Sequence, residues 1–310
     1  MPTKQGENRQ WGRLYGASSS LAIAELVRSH AGPVLVVAPD VQSAGQLESE
    51  LRFFLGSDVQ GGTSVTGGAV QGSTNAADAG SIKAARMPEV TDAQETMPVF
   101  GFPDWETLPY DVFSPLPELI SQRLTTLHRL GNFKRGALVA PVSTLMQRVC
   151  PREFLHSRTL VMDVGDQLDL DALRSRLAHA GYNNVAQVLA HGEFTIRGSL
   201  FDIFPMGGNR PYRIDLFDDE IDSIRYFDPE TQRSDEKVER IRIFPAREFP
   251  IDEDAVSSFR QTWRNRMDGD PQSSLIYQQI SEGQLPGGIE NYLPLFFDQL
   301  ETLFDYLHED

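Results

Sequence analysis

Lysine is scarce in this chain: four occur among 310 residues, at positions 4, 83, 134 and 237, and none follows a glycine. A phosphate loop of the P-loop type needs a Gly-Lys pair whose amine reaches the β- and γ-phosphates, followed by Ser or Thr for Mg²⁺. Nucleotide hydrolysis by that route is excluded. Cysteine is scarcer still. Cys150 alone cannot close an intramolecular disulfide or build a thiolate metal cluster, which agrees with a reducing, cytoplasmic compartment. The longest aliphatic run, Val34 to Ala38, is far short of the ~20 residues a bilayer helix needs, and the start MPTKQGENRQ has no apolar signal segment. No membrane association is expected. The histidines, at 30, 128, 156, 179, 191 and 308, form no H-E-x-x-H pattern, and no G-x-S-x-G nucleophile turn occurs. Neither zinc chemistry nor a serine nucleophile has a signature here. Positive charge is also short: 28 Lys and Arg against 44 Asp and Glu give −16, with 3 against 12 in residues 251–310. Duplex DNA is repelled by such a surface, because its affinity for proteins comes mainly from cations displacing counterions.

What the chain does have is a folded protein's balance, 40% hydrophobic and 23% charged residues. The first third alternates strand and helix patterns. Trp11–Tyr15 reads as a short strand, followed by the small-residue turn Gly16-Ala17-Ser18-Ser19-Ser20 and an amphipathic helix with Leu21, Ala24, Leu26 and Val27. A buried strand at Val34–Ala38 and a helix from Val41, apolar at Ala44, Leu47, Leu51 and Phe54, complete a βαβα start that predicts a parallel sheet covered by helices. Residues 56–98, rich in Gly, Ala, Ser and Thr, read as a disordered insertion that lacks the apolar surface to offset its ordering entropy. The α/β pattern resumes with a strand at Val99–Phe102, a helix with Ile120, Leu124, Leu127 and Leu130, and a strand at Ala137–Val142.

From about residue 150 the period changes to that of a small α+β unit. A strand at Thr159–Met162 precedes a helix capped by Asp169, with Leu170, Leu173 and Leu177 on one face and Gly181 stopping it. Strands follow at Val185–Leu189, Phe194–Phe204, Tyr212–Phe217 and Ile221–Phe227. After Glu239–Phe244 the pattern is helical again, around Phe259, Trp263 and Ile276–Ile280, and no closing element is evident before Asp310. The box Asp219-Glu220-Ile221-Asp222 matches the D-E-x-D of helicase-type ATPases, but with no partner lysine it reads as a polar hairpin tip. Ser18–Ser20 read as a helix N-cap, with anion binding as the less favoured alternative.

The strand Tyr212–Phe217 sorts Ile214 and Leu216 to one face and Arg213, Asp215 and Phe217 to the other. With the turn Pro205–Pro211 centred near Gly208, Phe217 faces Ser199 and lies diagonally from Arg197 on the same face. Arg197, Arg213 and Phe217 thus make an Arg–aromatic surface of the composition found at protein-binding hot spots. Reversing both arginine charges is expected to leave folding intact.

Several strings resemble a known family: Trp105-Glu106-Thr107-Leu108-Pro109-Tyr110-Asp111, Leu145-Met146-Gln147-Arg148-Val149-Cys150-Pro151, His191-Gly192-Glu193-Phe194 with Arg197-Gly198, Phe204-Pro205-Met206-Gly207, and Phe217-Asp218-Asp219-Glu220-Ile221-Asp222-Ser223. They look like the N-terminal region of the bacterial transcription-repair coupling factors, and the match spans nearly all of the chain except 56–98. The resemblance implies a UvrB-like fold: an α/β, RecA-like, degenerate P-loop NTPase domain at 1–143 and 235–310, truncated at its end and interrupted by a small α+β domain at 144–234. It implies that the loop Gly16, Ser18, Ser19, Ser20 has lost nucleotide binding, with Ser19 in the place of the phosphate-loop lysine. This chain would then need no cofactor, ATP and magnesium serving only the motor of the whole family protein. UvrB's aromatic hairpin for damaged DNA has no room between Pro109 and Glu118. What the resemblance retains is a UvrA-binding surface at Arg197, Arg213 and Phe217, with Thr195 standing where UvrB has an additional arginine. UvrA is the implied partner; RNA polymerase and DNA would be reached only through regions beyond residue 310. The function so implied is recruitment of UvrA in transcription-coupled nucleotide excision repair. The alternatives are an autoinhibitory clamp on the motor or a weak ATPase.

Overall fold

A computed structural model describes residues 6–8, 10–57 and 96–307. Its first elements are α1 (Ser18–Ser29), β1 (Pro33–Ala38), α2 (Val41–Leu55), β2 (Val99–Gly101), α3 (Pro117–Leu130) and β3 (Gly136–Pro141). The three strands form a parallel sheet in the order β1-β3-β2, with Leu35 opposite Leu138 and Phe100 opposite Leu138 on the other side. Strands buried on both faces need continuous apolar runs, and β3 is buried along its whole length. Asp40 caps α2 by accepting from the Ser43 amide, and Gly56 ends it in the left-handed conformation. Along α3, Ile120, Leu124, Leu127 and Leu130 all enter the core, each worth roughly 1.5–3 kcal/mol of burial.

The expected strand at Trp11–Tyr15 does not form. Arg13 has a left-handed backbone (φ 62°), and Trp11, Leu14 and Tyr15 are exposed, so apolar residues there pack on nothing that would pair a strand. The expected insertion 56–98 lies mostly outside the described residues; at its far edge Met97 is buried and donates its amide to the Leu55 carbonyl.

Next come α4 (Val142–Leu145), α5 (Arg152–Arg158), β4 (Leu160–Asp163) and α6 (Leu170–His179). Asp169 caps α6 as expected, its Oδ1 accepting from Asp171 and Ala172. A six-stranded mixed sheet then runs through β5 (Asn183–Asn184), β6 (Glu193–Arg197), β7 (Leu200–Phe204), β8 (Tyr212–Phe217), β9 (Glu220–Phe227) and β10 (Ser234–Val238), in the reverse of chain order. Only the β5–β6 pair is parallel. Three expectations change here. Phe194–Phe204 is two strands, because Gly198 turns the chain at φ +63°. Val185–Leu189 is a loop: its two valines, three residues apart, serve a satellite cluster in which Val188 packs with Phe204 and Phe227 and Val185 lies against it. The β7–β8 register is one residue from that expected, with Asp202 opposite Arg213 and the Leu216 amide bonded to the Ser199 carbonyl.

The strand β11 (Arg240–Ile243) returns to pair antiparallel with β4. Phe194, Phe201, Ile203 and Ile214 of the mixed sheet share one apolar core with Leu124, Leu127 and Leu138 of the first region. A buried ion pair, Arg123 to Glu248, crosses the same interior; Trp105 Nε1 donates to Glu248 at 3.3 Å and the guanidinium lies 4.3 Å from the Phe102 ring centre. The helices α7 (Glu253–Arg266), α8 (Leu275–Ser281) and α9 (Leu303–Leu307) complete the described chain. A closing element does exist: Leu303 and Tyr306 of α9 are buried, and the Tyr306 hydroxyl donates to the Cys150 carbonyl at 2.9 Å. Burial pushes the Cys150 thiol up, out of the nucleophilic range. No helix among the described residues is long and apolar enough to cross a membrane.

Candidate partner-binding site

Alternation along β6, β7 and β8 decides which side chains share the outer face of the mixed sheet. Phe194, Phe201, Ile203, Ile214 and Leu216 point to the core, so Thr195 and Arg197, Asp202, and Arg213, Asp215 and Phe217 point away from it. The strand argument had placed Arg197, Arg213 and Phe217 on one face, and they are on one face. The route differs: Arg197 belongs to β6, one strand further out than expected, and β7 lies between the two arginines.

The residue on β7 that joins them is Asp202, which sequence reasoning missed. Its carboxylate is 1% exposed and takes a fork from Arg213, Nε to Oδ1 at 2.8 Å and Nη2 to Oδ2 at 2.9 Å, plus Arg197 Nη2 to Oδ2 at 2.8 Å. A buried carboxylate needs such partners, and charge-assisted forked bonds are the strong kind. In return Asp202 raises the Arg213 guanidinium above its ordinary pKa through those bonds. The signal for Asp202 was its place in the alternation of Leu200–Phe204, visible only once the strand is split at Gly198.

The three residues differ in what they offer a partner. Phe217 is 74% exposed at the rim of a two-residue turn, opposite Glu220. Arg197 keeps half its side chain in solvent, whereas Arg213 keeps 15%. Arg213 also donates to the Gln232 carbonyl at 2.9 Å and sits 4.7 Å over the Phe227 ring. Its guanidinium is therefore largely engaged within the sheet, and removing it strands a buried carboxylate. This corrects the expectation that both arginines can be reversed without harm to folding. Cross-strand pairing continues the row: Arg225 lies opposite Arg213, and Lys237 opposite Arg225. Two more cations thus extend the face, and Arg225 Nε is buried with no hydrogen-bond partner. A bulge between Asp215 and Leu216 shifts the phase of β9, which hid Arg225 from the sequence pattern. Thr195 is buried opposite Asp202.

The other candidate, Gly16 with Ser18, Ser19 and Ser20, has a different chemistry from that expected. Ala17 is the N-cap of α1 and no side chain caps the helix; Ser18 Oγ donates back to the Tyr15 carbonyl at 2.7 Å and Ser19 Oγ to the Gly16 carbonyl at 3.5 Å. Ser20, following Ser19 where a magnesium-binding hydroxyl would stand, is fully buried and donates to Glu50, whose carboxyl it holds below the usual range. An ionised Glu50 at this end of α1 opposes a phosphate. The tip Asp218–Asp219 between β8 and β9 is a turn, as read, with Asp218 at φ 53°.

Comparison with known proteins bears on this face. A family described as the UvrB interaction domain matches residues 160–249, a range holding Arg197, Asp202, Arg213, Phe217, Arg225 and Lys237. The transcription-repair-coupling factor of Escherichia coli (strain K12) is 45% identical over 307 residues, covering 99% of this chain and 23% of that protein. The chain is similar over its whole length to the transcription-repair coupling factors. The coupling factor of Haemophilus influenzae (strain ATCC 51907 / DSM 11121 / KW20 / Rd) is 40% identical, with 100% of this chain and 24% of that protein covered. The coupling factor of Myxococcus xanthus is 32% identical, with 96% and 22% covered. The chain spans about a quarter of the length of these coupling factors.

Proposed function

We propose that this chain serves transcription-coupled nucleotide excision repair as a non-catalytic adaptor that docks UvrA on the outer face of the mixed sheet. The observation that carries this reading is the cluster in which buried Asp202 holds Arg197 and Arg213 beside an exposed Phe217, inside the segment similar to the UvrB interaction domain. Arginine and aromatic anchors held rigid at one place are what a binding hot spot requires. In this reading Phe217 and Arg197 make the contact, Arg213 and Asp202 position Arg197, and Arg225 and Lys237 lengthen the cationic row. The domain plan proposed with it is a RecA-like domain at 1–143 and 235–310 around an insertion at 144–234, with β11 returning from beyond 234 to close β4. No nucleotide or metal is needed by this chain; the engagement of Ser20 by Glu50 speaks against a weak ATPase. RNA polymerase and DNA would be engaged by other parts of a longer protein.

The test is binding to immobilised UvrA by Phe217→Ala and by Arg197→Ala, chosen because both side chains are half or more exposed. Each is expected to weaken binding by about tenfold or more while shifting the thermal midpoint by no more than about 2 °C. Wild-type binding by both variants would overturn the proposal.

A further inference from the structure

The link from β2 to α3 turns apolar side chains outward. Between buried Trp105 and the first turn of α3 stand Leu108, Tyr110, Val112, Phe113 and Leu116, each between 62% and 78% exposed. Apolar residues exposed singly are ordinary on a protein surface, but a run of them this dense marks an interaction site.

The backbone beneath these side chains is fixed. The Leu108 carbonyl accepts from the Asp111 amide at 3.0 Å, and the Asp111 carboxylate accepts from the Val112 amide at 2.8 Å. Ser114 Oγ donates to Glu290 at 2.8 Å and accepts from the Gly288 amide at 3.3 Å. Gly287 and Gly288 allow the two chain segments to touch backbone to backbone, because a Cβ on either would strike the carbonyl oxygen of Val112 or Asp111. The Tyr110 ring meets Tyr292 with centres 6.4 Å apart. Glu106 and Tyr110 are held in the left-handed region, at φ 57° and 64°, which bulky residues rarely adopt. Such strain persists only where neighbours over-determine it, so the link is held in a shape that points its apolar side chains at solvent.

The charge around the link is of one sign. From Asp104 to Gln122 the sequence carries Asp104, Glu106, Asp111 and Glu118 and neither Lys nor Arg; residues 267–310, which supply Gly287 to Tyr292, also have neither. Arg123 and Arg247, which approach from α3 and from the segment after β11, are held by Glu248 and Glu290. A second copy would set these carboxylates against themselves, and a nucleic acid or an anionic lipid surface would bring phosphates to them. An apolar contact rimmed by Lys and Arg complements both features.

We infer that the link from Glu106 to Leu116 is a docking site for a protein partner whose contact segment has an apolar face and a basic rim. The apolar face covers Leu108, Val112 and Phe113, and the rim meets the surrounding carboxylates. Because the display is fixed beforehand, little ordering is lost on docking. This site is separate from the outer face of the mixed sheet and does not depend on the UvrA reading.

Fluorescence anisotropy on the whole chain tests this with three labelled peptides: an amphipathic leucine–lysine peptide, a serine–lysine peptide of equal charge, and a leucine–glutamate peptide of the same pattern. The leucine–lysine peptide should bind at micromolar concentration and the other two at least about tenfold more weakly. The triple variant Leu108→Ser, Val112→Ser, Phe113→Ser, which leaves the charge unaltered, should lose about tenfold or more in affinity for the leucine–lysine peptide. Its thermal midpoint should stay near wild type because all three side chains are exposed, and Phe113→Ser alone should weaken binding in the same direction. Phe217→Ala, on the other face, should bind as wild type does. Equal affinity for the leucine–glutamate peptide, binding indifferent to the loop substitutions, or binding lost in Phe217→Ala would each overturn the inference. So would a concentration-dependent dimer in sedimentation that the triple variant abolishes, since the loop would then belong to a second copy.

Discussion

Asp202 is one buried carboxylate shared by two guanidinium groups of unequal exposure, and that inequality predicts unequal costs. Asp202→Asn leaves Arg213, 15% exposed, facing an amide in place of a charge; breaking so buried a pair costs roughly 3 kcal/mol. Arg197→Ala removes a half-exposed partner and should cost about 1 kcal/mol or less. Urea unfolding of the two variants checks this, and equal loss of stability would mean that Asp202 is not the organiser of the face. Below its unfolding midpoint, Asp202→Asn should also weaken UvrA binding, since Arg197 loses its anchor. Arg213 and Phe217 were legible as one face from period-two alternation along β8, whereas Arg197 joins them through the turn at Gly198, where the extra strand offsets the one-residue change of register. Asp202 was not legible, for an aspartate in an apolar run declares its partners only when the strands beside it are known.

At the scale of elements, strands and helices were legible where apolar period and turn chemistry agreed, as in β1, α2, α3 and β8. They were illegible where apolar residues serve something other than a strand, as the valines of 185–189 do beneath the outer face. Turn glycines show the same division. Gly198 and Gly136 both adopt positive φ, +63° and +136°, but an added Cβ meets open space at Gly198 and the Pro98 carbonyl oxygen at 2.3 Å at Gly136. Gly198→Ala should therefore cost about 1–2 kcal/mol from backbone strain alone. Gly136→Ala adds overpacking where α3 hands the chain to β3, for roughly 3–5 kcal/mol in total. Thermal denaturation separates the two, and a smaller loss at Gly136 would show that Pro98 yields freely.

For the molecule as a whole, the question is where a cut leaves the outer-face unit able to fold. β4 is closed by β11 through Leu160 opposite Ile243 and Met162 opposite Ile241, and all four side chains are buried. A fragment spanning 144–234 removes β11 and nearly all of β10, so it exposes the β4 edge and the apolar row beneath it. A fragment spanning 160–249 keeps both pairings and retains Phe244, whose carbonyl accepts from the Tyr182 hydroxyl at 2.7 Å. It loses the partners that the rest of the chain contributes to the common core, Leu124, Leu127, Leu138, Leu155 and Tyr306 among them. The longer return should matter more than the longer approach, because a strand edge left unpaired loses backbone bonds as well as burial. The 160–249 fragment is accordingly expected to show a cooperative thermal transition and wild-type UvrA binding, and the 144–234 fragment to lack the transition. Comparable cooperative unfolding of the two would mean that β11 closes the sheet without stabilising it.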